Sequence, residues 1–222
     1  MKAELDTRQR LLVAAMHHYA ESGFDRMSVR AITQDAGANL AAVNYYFGGK
    51  EPLLFAMFED AIRPINEDRL RQLNEALELS GGEPLELEAI FDAFLLPMAE
   101  ATERAEAGPA HFLRAMARLL SEGDEMMQRI DRECSGEIKR RFVLELERAA
   151  PQLPPEEVRW RMHFAVGSVV GTFLRHRMTA HACQLALPAT TLRTVVLHLR
   201  DFICAGFRAP TPEKILPVPQ AN

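Results

Sequence analysis

Apolar residues recur at three- and four-residue spacing along nearly the whole chain, and no run alternates with period two over a strand's length. The pattern predicts helices throughout. Leu11, Leu12, Ala15, Met16 and Tyr19 predict a first helix from Arg8 to about Ser22, opened by an Asp6-Thr7 cap. Val29 and Ile32 mark a short helix starting at Ser28, and Val43 and Phe47 form the inward stripe of another, Leu40 to about Phe47. A longer stripe of Leu53, Leu54, Met57, Phe58, Ala61 and Ile62 follows Lys50-Glu51-Pro52. Pro64 interrupts it and is expected to kink or split a helix that resumes to about Leu79. Further helices are expected from near Pro84 to about Ala105 (with Pro97 a second interruption), from Gly108-Pro109 to about Glu122, over Glu125–Ala150, from Glu156 to about Ala182, and over Thr190–Phe207. Pro210, Pro212, Pro217 and Pro219 in a short polar end predict a disordered tail over 209–222.

The stretch from Ser28 to Leu53 carries the strongest local signals. Ser28 and Asn39 are good N-caps, and Ala36-Gly37-Ala38 between them supplies a turn in which Gly37 can adopt the left-handed conformation. Helix, short glycine turn and second helix make a helix-turn-helix. An ordinary αα-hairpin has the same outline. The outward composition of the second helix favours the former: Ala41 and Ala42 allow close approach to a groove, and Asn44 and Tyr45 offer hydrogen bonds to bases or phosphates.

In full this stretch, S-V-R-A-I-T-Q-D-A-G-A-N-L-A-A-V-N-Y-Y-F-G-G-K-E-P-L, resembles the N-terminal DNA-binding domain of TetR-family transcriptional regulators without a gap, and Gly23-Phe24 ahead of it also fits. Asn44 stands where that family usually has Tyr, Ala42 where Thr is commoner, and Gly49 where a capping Ser or Asn is usual. The last change is expected to weaken the cap by only about a few tenths of a kcal/mol. The resemblance implies an all-α chain. A three-helix DNA-binding domain (1–50) would precede a helical-bundle effector-binding and dimerisation domain (51–208). It implies DNA contacts from Ser28, Arg30, Asn39, Leu40, Ala41, Ala42, Asn44, Tyr45, Tyr46 and Lys50. Arg30 would reach a base edge or phosphate, and Tyr45, Tyr46 and Lys50 would hold phosphates. Leu40 and the alanines would meet thymine methyls, and Asn44 would either pair with adenine or only brace the helix.

The family's C-terminal domain is an effector chamber, for which the apolar candidates are Phe91, Phe94, Leu95, Met98, Phe112, Met116, Met126, Met127, Ile130, Phe142, His163 and Phe164. The same positions suit a plain core. Ten methionines favour a site that adapts to a flexible apolar ligand. The last two long helices are expected to pair in a homodimer through Gly167, Ser168, Gly171, Leu174, Val195, Leu199 and Phe202. A two-fold dimer implies a palindromic double-stranded operator with half-sites about one turn (~34–36 Å) or a multiple apart. The resemblance thus implies a repressor released from DNA by a small apolar effector, with the Pro64 helix as lever. NLAAVNYYFGGK and the segment Ala149–Gly167 resemble fatty-acid-responsive, PsrA-like members, implying a long-chain fatty acid or its acyl-CoA thioester.

Composition narrows the alternatives. In 222 residues, 48% hydrophobic, there is material for a sizeable core but no membrane-spanning run and no signal-peptide pattern. Cys134, Cys183 and Cys204 are scattered and lack zinc spacing, which suits a reducing cytoplasm. His17 and His18 are adjacent, not four apart, and do not make a helical metal pair. A net charge of −5 does not advertise nucleic acid, so the helix-turn-helix carries that expectation alone. Catalytic signatures such as G-x-S-x-G, H-E-x-x-H, the P-loop and G-x-G-x-x-G are missing, so no enzyme, cofactor or metal is expected. The remaining alternative is a helical lipid carrier, which leaves Ser28–Lys50 unexplained.

Overall fold

The computed structural model describes residues 6–121, 125–182 and 191–211, and among these every regular element is a helix. They are α1 (Thr7–Arg26), α2 (Val29–Asp35), α3 (Leu40–Phe47), α4 (Lys50–Leu79), α5 (Leu87–Arg104), α6 (Pro109–Ser121), α7 (Glu125–Ala149), α8 (Pro155–Ala182) and α9 (Leu192–Arg208). Local chemistry sets several boundaries. Asp6 accepts from the Gln9 amide at 2.7 Å to open α1, which leaves helical dihedrals at Gly23. Thr191 accepts from the Thr194 amide at 3.2 Å to open α9.

Of the two outcomes expected at Pro64, a kink or a split, the split does not occur. α4 runs unbroken from Lys50 to Leu79, and α5 likewise passes through Pro97. Pro64 frees the carbonyl of Asp60, and both residues line an open cleft where water can satisfy that oxygen. Ile62 and Ile65, both buried, anchor the helix on either side of the proline. The tail over 212–222, the Leu174 side chain and Cys183 lie outside the described residues.

Two apolar clusters organise the chain. The first joins α1, α2, α3 and the first half of α4, where Tyr19 meets the edge of Phe58 at 5.2 Å. It continues without interruption into α6 and the start of α7, through Phe112, Met116, Met127 and Ile130. The second joins the end of α4 to α5, α7, α8 and α9, with ring contacts Phe91–Phe207 at 5.2 Å and Phe94–Phe142 at 5.1 Å. Polar ties pin α9 in place. The buried Arg161 donates from Nη1 to the carbonyls of Gly206, Phe207 and Ala209 at 2.8–2.9 Å, closing the C-terminal end of α9. Its Nε donates to Glu157 at 2.8 Å. Arg200 grips Asp92, and Arg208 grips Glu88, each with paired bonds. The bond from Arg208 holds the Glu88 carboxyl below its usual range.

α6 also bridges to α1. His17 Nε2 meets the Ala107 carbonyl at 2.7 Å, Arg118 Nε donates to the Ala20 carbonyl at 3.2 Å, and Arg114 pairs with Glu21. These contacts link the helix-turn-helix unit to the rest of the chain.

Candidate nucleic-acid interface and effector cavity

The first site is built on α2, the turn and α3. Ser28 accepts from the Ala31 amide at 3.4 Å, and Asn39 accepts from the Ala42 amide at 2.9 Å. Both side chains therefore start the helices whose outward faces carry the remaining candidates. Gly37 has φ +60, the left-handed turn expected of it. Arg10 on α1 clamps the end of α2, its Nε donating to the Ala36 carbonyl at 2.8 Å. Val43 is fully buried, so the opposite face of α3 is turned outward.

That face is unusually apolar for free surface. Leu40 is 59% exposed, Tyr45 82% and Tyr46 43%, and Asn39, Ala41, Asn44, Ser28 and Arg30 are exposed beside them. Ala42 is half-buried. The two tyrosine rings stand edge to face at 5.0 Å. A shallow hollow runs along this face, lined by Gly37, Asn39, Ala41, Tyr45 and Tyr46 together with Thr7 at the start of α1. Thr7 was not a candidate, because nothing local in its sequence points to α3. Lys50 is folded back over α1: Nζ sits 4.3 Å from the Phe24 ring centroid and donates to the Asp25 carbonyl at 3.4 Å. Gly49 has φ +152, so the Ser or Asn usual there would be strained at this cap and not simply a better one.

The second site lies between α4, α5, α6, α7 and α8. A cavity of about 60 Å³ is lined by Ile62, Ile65, Arg69, Phe94, Met98, Met116, Leu119, Asp131, Ser135, Lys139, Val166 and Val169. Of the twelve expected ligand residues it gathers Phe94, Met98 and Met116. Phe91, Leu95 and Phe142 belong to the second cluster, and Met127 receives the Tyr19 hydroxyl at 3.2 Å within the first. Met126 and Ile130 line a separate hollow beside Phe55, and Phe112 lines the open cleft of about 320 Å³ between α1, α4 and α6. Arg69 was missed. It has a readable signal: an arginine on the buried stripe Ile62, Ile65, Leu73 of α4. Burial pushes its guanidinium down to about 10.

His163 and Phe164 do not reach this cavity. Both are exposed, Phe164 at 61%, and they share the outer stripe of α8 with Trp160 (58%), Gly167 and Gly171. Trp160 and Phe164 stack at 5.9 Å. The inward stripe of α8 is instead Val158, Arg161, Met162 and Ala165, all buried. Leu199 is also reassigned: it is buried in the second cluster, whereas Phe202 on the same helix is 68% exposed. Val195 is half-buried, and Ser168 donates back to the Phe164 carbonyl at 2.9 Å. A Cβ at Gly167 or Gly171 would meet nothing within 4 Å among the described residues, so close packing between these does not account for the glycines.

Residues 92–206 match the family described as tetracyclin repressor-like, C-terminal domain, and residues 11–57 match bacterial regulatory proteins of the tetR family. The chain belongs to the TetR family. It is a family of regulatory proteins, not of enzymes. The HTH-type transcriptional regulator BetI of Vibrio vulnificus (strain YJ016) is 36% identical over 67 residues, a match covering 30% of this chain and 34% of that protein. The chain thus aligns with about a third of that relative's length. Solved structures share the TetR fold at low identity. The fatty acid degradation regulator FadR from Bacillus halodurans superimposes with TM-score 0.68 at 15% identity, over 94% of this chain and 100% of that one. AmtR from Mycobacterium smegmatis gives 0.59 at 15% identity, over 91% and 88%. Among the described residues no helix is long and apolar enough to cross a membrane.

Proposed function

We propose that this chain is a homodimeric repressor that reads a palindromic operator with α3 and leaves it when a small apolar effector binds the C-terminal half. The observation that carries the reading is the outward face of α3. Leu40, Ala41, Asn44, Tyr45 and Tyr46 are exposed together on a helix whose other face is sealed by Val43. A lipid carrier has no use for such a face. A groove-binding helix does: small and apolar side chains approach thymine methyls, Asn44 can pair with adenine, and the tyrosines and Arg30 can hold phosphates.

Dimerisation is supported by the exposed aromatics of α8 and α9. Trp160, Phe164 and Phe202 leave a large apolar surface beside two glycines that nothing among the described residues crowds. The effector reading is supported by the cavity against α4. That helix runs from Lys50 beside the reading head to Ile62, Ile65 and Arg69 at the cavity. A ligand that prefers a widened cavity would shift α4 and, through the α1–α6 bridges, the spacing of the two reading heads. A fatty acid or its acyl-CoA thioester is the proposed class. The Bacillus halodurans relative is named as a regulator of fatty acid degradation, and the methionines of the cavity suit an unbranched tail.

The test is fluorescence anisotropy of the purified protein on duplex DNA from upstream of its own gene, at two salt concentrations. Tight binding that weakens steeply with salt is expected. Binding no stronger than to random duplex, there and across a genomic fragment library, contradicts the proposal.

A further inference from the structure

Two arginines are buried below a tenth of their surface among the described residues, and they are treated differently. Arg161 has Glu157 at 2.8 Å. Arg69 has no carboxylate partner among the described residues. Its Nε donates to the Phe94 carbonyl at 2.8 Å, its Nη1 donates to Asn66 Oδ1 at 3.1 Å, and the guanidinium lies 4.3 Å from the Phe94 ring centroid. Asp131, the carboxylate nearest at hand in the cavity wall, is held by both oxygens on Lys139 at 2.7 and 2.6 Å. It already has its own cation.

Arg69 Nη2 has no hydrogen-bond partner among the described residues, and neither has the hydroxyl of the buried Ser135. Every sealed side-chain nitrogen or oxygen in the described structure does have one. These two groups are therefore not sealed, and both residues line the cavity. A buried, uncompensated cation is costly, and the cost falls when an anion arrives.

We propose that the effector is an apolar carboxylic acid in its free, ionised form, its carboxylate seated on Arg69 and Ser135 and its tail among Ile62, Phe94, Met98 and Met116. This inference rests on reading the cavity as the effector site. The free acid is favoured over the thioester because a thioester carbonyl is neutral and leaves the Arg69 charge uncompensated. A carboxylate matches the guanidinium fork and makes charge-assisted bonds. The cavity of about 60 Å³ has room for little more than a headgroup, so the tail must part the walls. The unbranched side chains of Met98 and Met116 can move aside for it. Parting α4 from α5 and α6 is then the event that carries occupancy toward the reading head.

The experiment is titration calorimetry on the full chain with octanoate, laurate and oleate, each beside its matching alcohol, and with lauroyl-CoA. Wild type, Arg69→Met and Arg69→Lys are compared, with DNA anisotropy run on the same preparations. At least one acid is expected to bind roughly thirtyfold tighter than its alcohol, about 2 kcal/mol. Arg69→Met should erase that preference and leave the alcohol unchanged, while Arg69→Lys keeps part of it. The acid–alcohol comparison on wild type needs no variant, so poor folding of Arg69→Met leaves the claim testable. Equal binding of acid and alcohol overturns the inference, as does tighter binding of the thioester. Failure of every acid to bind while the protein still binds its operator also overturns it and leaves the regulator standing. Acid binding that depends on Arg69, in a protein that binds no DNA, upholds the site and overturns the regulator.

Discussion

Phe202→Ala should dissociate the proposed homodimer without unfolding the subunit. Phe202 is 68% exposed in the single chain, so its ring contributes little to the subunit's own packing. An aromatic side chain of roughly 200 Å² therefore offers on the order of 130 Å² to a partner. At about 25 cal/mol per Å² this is worth about 3 kcal/mol, of which truncation to alanine removes about 2. Two-fold symmetry counts the change twice, giving about 4 kcal/mol, or roughly a thousandfold in the dissociation constant. The costs of lost translation and rotation are common to both proteins and cancel. Sedimentation equilibrium over a wide concentration range reads the constant, and circular dichroism checks that the monomer stays helical. A dissociation constant within about threefold of wild type would refute the assignment of α8 and α9 to the interface.

Other perturbations probe separate parts of the account. Asn39→Ala removes the cap on the Ala42 amide and should cost about 1 kcal/mol in a thermal melt, with a larger loss in DNA affinity because α3 is less well held. Arg161→Met leaves the last carbonyls of α9 and the Glu157 carboxylate without their donor, and should cost about 3 kcal/mol in urea denaturation. Gly49→Ser should destabilise by about 1 kcal/mol in the same assay, since its φ of +152 disfavours any side chain. Burial pushes the Cys204 thiol up to about 12 and the Cys134 thiol up to about 11. Both folded values lie above those of the unfolded chain, so the unfolded state ionises first and stability should fall as pH rises from the unfolded thiol range toward 11–12. Melting of Cys134→Ala/Cys204→Ala across that range should show a weaker alkaline loss.

The helix-turn-helix was legible because its signals are local. Ser28, Gly37 and Asn39 each act on the next few amides, and the structure uses all three as the sequence suggests. What failed needed knowledge of both sides of a helix. α8 is apolar on its inner stripe, through Val158, Met162 and Ala165, and on its outer stripe, through Trp160 and Phe164. Periodicity cannot say which of two apolar stripes faces inward, so Phe164 was assigned to a pocket it does not touch. On α9 the same ambiguity affects Leu199, expected at the dimer face but buried in the second cluster, whereas Phe202 is exposed as a dimer residue must be. Pro64 and Pro97 each remove one helical bond without splitting their helices, because packing of the flanking turns keeps α4 and α5 continuous. The packing of α6 and the start of α7 against the N-terminal helices has no local signature, because the residues that meet, such as Tyr19 and Met127, are far apart in the chain.

The central claim is that α3 reads DNA sequence as one half of a symmetric pair. Selection of bound duplexes from a random pool by the purified protein tests it most directly. The account predicts enrichment of a palindrome with half-sites about one helical turn or a multiple apart, loss of enrichment at one base position of each half-site in Asn44→Ala, and weaker binding across all sequences in Tyr45→Ala. A pool that stays random after repeated rounds, or a motif that Asn44→Ala selects unchanged, would contradict it.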